Sequence, residues 1–216
     1  MYKSLFFWLG IVLLSPACSD STTSEQNIDP PKADEYLVFI GQKVSLEYVP
    51  PLGDELRFDS EYLANYRILE LFLGNYVGSE IEFTVYDHYG EPPFSSFEHV
   101  LLYLEKYGDA YYHSKYQFSP VYKSRDGRWA GTYAASDYNH SYNVDTDIQP
   151  EEIDFLEPVT FDISQLAEDE RKKWYPEPYF QIEDDTAIAV YGNYVEELFL
   201  LKQSGVLKAR DDFQNF

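Results

Sequence analysis

The sequence predicts an α+β fold rich in β-structure, with an antiparallel sheet or barrel in the N-terminal half and a smaller α+β C-terminal part. Three observations predict it. Through residues 36–135, short apolar and aromatic runs are punctuated by Gly, Pro and Asp-Gly, the rhythm of strands and turns. Aromatic residues make up 18% of the chain, and 21 residues are tyrosines. Tyrosine has an apolar face and a polar tip, so it suits half-buried strand positions. Paired helix-start and helix-stop signals gather only after residue 158.

Residues 36–48 are apolar and β-branched with one glycine, Gly41, which predicts a bent strand. Pro50, Pro51 and Gly53 end it. Residues 66–73 suit a helix or a strand, and Gly74 and Gly78 bracket the short segment after them. At 80–86, Ile81, Phe83 and Val85 alternate with Glu80, Glu82 and Thr84, the period of a strand with one wet face. Residues 100–106, 111–118, 121–123 and 129–133 predict further strands, with Asp126-Gly127 as a type I′ hairpin turn between the last two. Residues 136–157 are acidic and poor in aliphatics, and read as a loop. After a short strand at 158–163, Ser164 is expected to cap a helix. Acidic residues at its start and Arg171, Lys172 and Lys173 at its end suit the helix dipole. Pro176 and Pro178 stop it, and strands are expected at 179–182 and 187–191. Asn193 with Glu196 predicts a capping-box start for a helix through Gln203, with Gly205 as its stop. The expected layout is a leader (1–17), a tether (18–35), a β-rich domain (36–135), the acidic loop (136–157) and an α+β part (158–216) packing on the β-rich domain.

Lys3 precedes an unbroken apolar run over 5–14. As a helix that run rises only about 15 Å, half the roughly 30 Å of bilayer hydrocarbon, so it has the length of a signal-peptide core. Ser15-Pro16-Ala17 before Cys18 resembles the lipobox of bacterial lipoprotein precursors. The leucine usual three residues before the cysteine stands one place further back, at Leu14. The resemblance implies a diacylated Cys18 thiol, removal of the leader, acylation of the new amine and a bilayer partner. Acyl chains bind at roughly 0.8 kcal/mol per buried methylene, so two or more hold stably. In that family's sorting rule, serine after the cysteine, here Ser19, favours the outer membrane. The competing reading is an ordinary secretory leader in which Cys18 is incidental. Residues 19–33 are polar, small and proline-terminated, as expected of a flexible tether.

Cys18 is the single cysteine, so no intramolecular disulfide can form and stability must come from the core. The formal net charge is −22, and loss of Lys3 makes the mature chain one charge more acidic. Such a surface disfavours nucleic acid and anionic headgroups, which need cationic neutralisation. It suits a basic partner, a cation or simple solubility.

The order Tyr36-Leu-Val-Phe-Ile-Gly-Gln-Lys-Val-Ser-Leu46, then Tyr66-Arg-Ile-Leu-Glu-Leu-Phe-Leu-Gly74, then 80–86, resembles the first strands of OB-fold domains related to tissue inhibitors of metalloproteinases. The resemblance spans residues 36–86 and implies an OB-like barrel. In that family a free N-terminal cysteine amine chelates the target's zinc and disulfides brace the barrel. Here Cys18 is expected to be acylated and lacks a partner cysteine, so only the barrel carries over.

Two strings carry the candidate chemistry. Tyr86-Asp87-His88-Tyr89-Gly90-Glu91-Pro92-Pro93 places an Asp-His pair at a strand end, where sites often lie. Asp87, His88 and His113 are the candidate catalytic residues of a metal-dependent hydrolase. His88, His99 and His113 could ligate a divalent cation such as zinc if their strands bring them together. The structural alternative has Asp87 accepting backbone hydrogen bonds in a turn and His88 satisfied locally. The second string runs from residue 111 to 129. Lys115, Arg125, Arg128 and Trp129 there are candidate ligand-binding residues for an anion or an acidic glycan, unless they pair with neighbouring carboxylates. Asp137, Asn139, Ser141, Asn143, Asp145 and Asp147 alternate oxygens like a calcium loop but lack the glycine and glutamate of an EF-hand. Nucleophile-elbow, phosphate-loop and Cys/His signatures are absent. The expected role is a non-catalytic envelope lipoprotein that binds a protein or glycan partner, with the hydrolase as alternative.

Overall fold

The structure is a computed structural model that describes residues 32–53, 56–143, 146–210 and 213. The leader, Cys18 and most of the tether lie outside the described residues. The N-terminal half is a closed five-stranded barrel: β1 (Glu35–Val49), β2 (Ser60–Leu73), β3 (Glu80–Asp87), β4 (His99–Tyr107) and β5 (Ala110–Pro120), ordered β1-β2-β3-β5-β4. β3 meets β5 in parallel, and the other pairs are antiparallel. This is the five-stranded Greek-key closure of an OB-like barrel. The ambiguous 66–73 segment is strand, because β2 is paired on both sides, by β1 and by β3.

The first half of β1 and the centre of β4 are buried on both faces. Leu37, Phe39, Val100, Leu102 and Leu104 point into the barrel, while Tyr36, Val38, Ile40, Leu101 and Tyr103 belong to a second core outside it. That is why 36–40 and 100–104 are unbroken apolar runs instead of alternating ones. β2 and β3 keep one wet face, so Ile81, Phe83 and Val85 are buried while Glu80 and Glu82 are exposed. β1 is irregular between Ile40 and Gly41, where it bends. A Cβ on Gly41 would stand 2.8 Å from Phe39 and 3.0 Å from Tyr66, two rings packed in the barrel.

The link from β3 to β4 forms a 3₁₀ turn at Pro93–Ser96 that drops Phe94 into the barrel, 1% exposed, against Tyr66, Phe83, His113 and Phe118. Lys43 Nζ donates to the Ser95 carbonyl at 2.5 Å, and the Ser95 hydroxyl donates to Glu91 at 2.7 Å, which fixes the turn.

The C-terminal part adds two small sheets. One is β6 (Tyr122–Lys123), β7 (Trp129–Thr132), β12 (Tyr191–Tyr194) and β8 (Glu151–Glu152), adjacent in that order; the other is β10 (Phe180–Glu183), β11 (Thr186–Ala189) and β9 (Thr160–Asp162). They share a core that includes Ala130, Ile153, Phe155, Ile163 and Phe180. Helices α1 (Ala135–Tyr138), α2 (Glu168–Trp174) and α3 (Val195–Lys202) complete it. Val195 and Leu198 of α3, with Leu207 and Phe213, cover the outer stripe of β1 and β4.

Several local expectations are corrected. The Asp126-Gly127 hairpin exists, but only Gly127 has positive φ, and Ser124 N donates to Arg128 O at 3.0 Å. It is therefore a type I turn closed by a left-handed glycine, not type I′. α2 starts at Glu168, past Ser164, and Glu170 caps it by accepting from the Ala167 N–H at 3.0 Å. Asn193 lies in β12 and pairs with Glu197, not Glu196. Gly205 does break the helical path as expected: its φ of −98° and ψ of −106° are non-helical and kink the chain before a last short helical turn, and a Cβ there would meet Asn143 Nδ2 at 2.7 Å. The segment expected as an acidic loop contains α1, a 3₁₀ turn at Ser141–Asn143 and β8.

Candidate functional site

At the end of the barrel where β1 turns into β2, three segments converge on Asp59. Its carboxylate accepts from Lys115 Nζ at 2.6 Å and lies 3.4 Å from His88 Nδ1. The same ring nitrogen is 3.0 Å from the Phe58 carbonyl, so an Nδ1–H donor suits both acceptors. The Lys115 hydrogen bond holds the Asp59 carboxyl below its usual range, against a smaller opposing effect of desolvation. This latch ties the β1–β2 loop to the end of β3 and to a bulge in β5, between its pairings with Leu102 and Leu104. Beyond the latch the loop presents Leu52, Leu56 and Phe58 at 82%, 96% and 93% exposure, beside Tyr48 at 56%. Tyr89 projects nearby at 86%, its ring 5.3 Å from His88 and 6.2 Å from Tyr116.

The candidate catalytic residues do not share a site. Asp87 is buried, and its Oδ1 accepts from the Tyr89 N–H at 2.8 Å, the turn role. His88 is an exposed member of the Asp59 latch. His113 points inward from β5, with Nε2 2.8 Å from the Gln117 carbonyl and its ring 4.6 Å from Phe94. His99 starts β4 and packs 4.9 Å from Trp129. The expected His88–His99–His113 metal cluster therefore does not form, because the three side chains leave the bend after β3, the start of β4 and the middle of β5 toward three different environments. Among the described residues no group of three or more His, Cys, Asp and Glu is placed to hold a metal ion.

The candidate ligand-binding group divides too. Lys115 belongs to the Asp59 latch. Arg125 pairs with Asp154 at 3.0 Å; Arg128 pairs with Asp126 at 3.0 Å and lies 3.1 Å over the Tyr194 ring. Asp126 is pulled down to about 2 by the Ser124 hydroxyl, then by the Arg128 N–H and guanidinium. Trp129 carries Lys123 Nζ 4.0 Å over its ring and lines a cleft of about 380 Å³ with His99, Tyr122 and Thr160. These cations are largely spoken for by carboxylates and rings. Of the alternating oxygens, Asn143 is buried and donates to the Asp137 and Leu201 carbonyls at 2.8 and 2.9 Å, which makes it a structural bolt.

No protein-family model, curated protein or solved structure matches the chain. What the site can do rests on its own geometry.

Sequence reasoning flagged His88 and Lys115 but missed Asp59, which joins them from a loop. It also missed Leu52, Leu56 and Phe58. Their signal was present: apolar residues in a Pro-, Gly- and Asp-rich segment, at no strand or helix period, have no core to enter.

Burial pushes His113 down to about 4, only partly offset by the Gln117 carbonyl. The folded chain thus keeps it neutral while the unfolded chain protonates it near the ordinary 6.5. Between these values the unfolded state binds more protons, so stability falls as pH falls through the window. Full stabilisation is present above pH 6.5, and nothing more is lost below about 4. The loss reaches on the order of 3 kcal/mol. Urea unfolding at pH 7 and pH 4, for wild type and His113→Gln, measures it; equal pH slopes in the two proteins would contradict the assignment.

Proposed function

We propose that this chain is a bacterial lipoprotein of the outer membrane, held through acylated Cys18. Its barrel acts as a non-catalytic module that recognises a protein partner with the β1–β2 loop. The observation that carries the recognition is the exposure of Leu52, Leu56 and Phe58 on the β1–β2 loop, whose Asp59 end is tied by Lys115 and His88. Large apolar side chains left in water supply apolar area on binding. The non-catalytic reading is supported by the structural hydrogen bonds that occupy Asp87 and His113. The acidic charge of the chain favours a partner with a basic rim.

Two measurements test this reading. Cells fed a palmitate analogue are expected to label the wild-type chain and not Cys18→Ser; label that survives the substitution removes the anchor. A photo-crosslinking residue at position 58 is expected to give a discrete adduct in cells, diminished at least tenfold by Leu56→Ser. A smear that Leu56→Ser leaves unchanged argues against a recognition loop.

A further inference from the structure

A separate cleft of about 420 Å³ opens where β5 and the 3₁₀ turn face β7, α1 and α3. We propose that it binds a neutral saccharide of one or two rings. Its size falls within the range of small-molecule sites, and its lining has their composition: mostly apolar, with a few polar groups. Phe97, Tyr116 and Phe118 form the aromatic side. Such rings match the C–H face of a sugar, as they match other flat apolar surfaces. Thr132, Ser136, Asp137 and Lys202 form the polar side. Hydroxyl groups of a sugar both donate and accept, so a carboxylate, an ammonium and two hydroxyls meet them in either sense.

Two further features point to a built site. Tyr116 is a non-glycine residue with φ of 68°, in the left-handed region, at the bulge in β5. A bulge re-aims a side chain, and an aromatic residue at positive φ is strained, so the rest of the fold must hold it in place. Here the strained residue is the 41%-exposed ring at the cleft's lip, with Lys115 Nζ 5.3 Å from its centroid. The second feature is the Asp137–Lys202 pair, 3.4 Å apart, with side chains only 15% and 11% exposed. An ion pair so nearly buried gives little net stability, because desolvation offsets attraction. It does leave a fixed acceptor and a fixed donor on the cleft wall. Since the two charges cancel, the wall favours a neutral ligand over an anionic one.

The test uses the full chain with N,N′-diacetylchitobiose, cellobiose and maltose as probes, followed by saturation-transfer NMR and titration. At least one is expected to bind with a dissociation constant at or below the millimolar range. Tyr116→Gly removes the ring and relieves the positive φ, so it is expected to melt at or above wild type yet bind at least tenfold more weakly. Ser136→Ala, at an exposed position, is expected to weaken binding several-fold without a change in melting. No binding of any probe by the wild type overturns the proposal, and so does unchanged affinity in Tyr116→Gly. Phe58→Ser is expected to leave saccharide affinity unchanged, which keeps this test independent of the protein-recognition loop.

Discussion

Gly192→Ala is expected to destabilise the fold by about 3 kcal/mol, at the upper end of overpacking substitutions. β12 runs beside β7, with Gly192 opposite Thr132 and Asn193 opposite Gly131. A Cβ on Gly192 would stand 1.9 Å from the Gly131 carbonyl oxygen, 3.0 Å from its carbon and 3.2 Å from the Thr132 Cα. All three are backbone atoms, so no rotamer change relieves the clash. The strands would have to part, and β12 leads straight into α3, whose apolar side chains cover the barrel. For a chain of this size the loss corresponds to a fall in melting temperature of roughly 6–12 °C. Gly131→Ala is the comparison: its Cβ would meet mainly a Leu198 methyl at 2.8 Å and a carbonyl oxygen at 3.1 Å. Because the leucine can turn, a smaller loss is expected. If Gly192→Ala melts with wild type, the close approach of β7 and β12 is wrong.

Phe94→Ala is expected to remove about 3–5 kcal/mol, the range for large-to-small changes in a core that cannot collapse. Phe94 enters the barrel from the 3₁₀ turn, and its ring meets four others: Tyr66, Phe83, His113 and Phe118. Those rings hang from strands closed into a barrel, so they cannot move inward to fill the space. Water admitted beside His113 would also lift its depressed pKa toward the ordinary value. The variant should therefore show both a lower denaturation midpoint at pH 7 and a shallower loss of stability toward pH 4. An unchanged midpoint would mean that Phe94 does not plug the barrel. Phe94→Leu, which keeps most of the volume, is expected to lose less than half as much.

Much of the barrel was legible because its rules are local. The alternation over 80–86 is β3, and the runs at 36–48 and 100–106 lie in β1 and β4. The segment at 66–73 was undecided because its β-form depends on neighbours from elsewhere in the chain: Ile68 opposes Gly41, and Tyr66 opposes Ile81. Asn143 looked like part of a solvated loop, yet its fate is decided by the Leu201 carbonyl, 58 residues on. Such pairings leave no periodic trace. The same holds at the site: His88 and Lys115 stood out by chemistry, but Asp59 is one acid among 38 Asp and Glu residues. The positive φ of Tyr116 could not be read at all, since tyrosine does not favour it.

The two-sided burial of β1 has a consequence for how the molecule is made. The rings of Tyr36 and Phe213 lie 4.2 Å apart, so nearly the whole described chain separates residues that must touch. Synthesis delivers a polypeptide from its N-terminus onward, so the stripe of Tyr36, Val38 and Ile40 emerges first and its cover last. Until α3 arrives, that stripe is an apolar surface awaiting closure, and long-range closure of this kind is slow. The chain therefore has an interval of vulnerability set by its topology, during which a holding chaperone would have a defined place to bind.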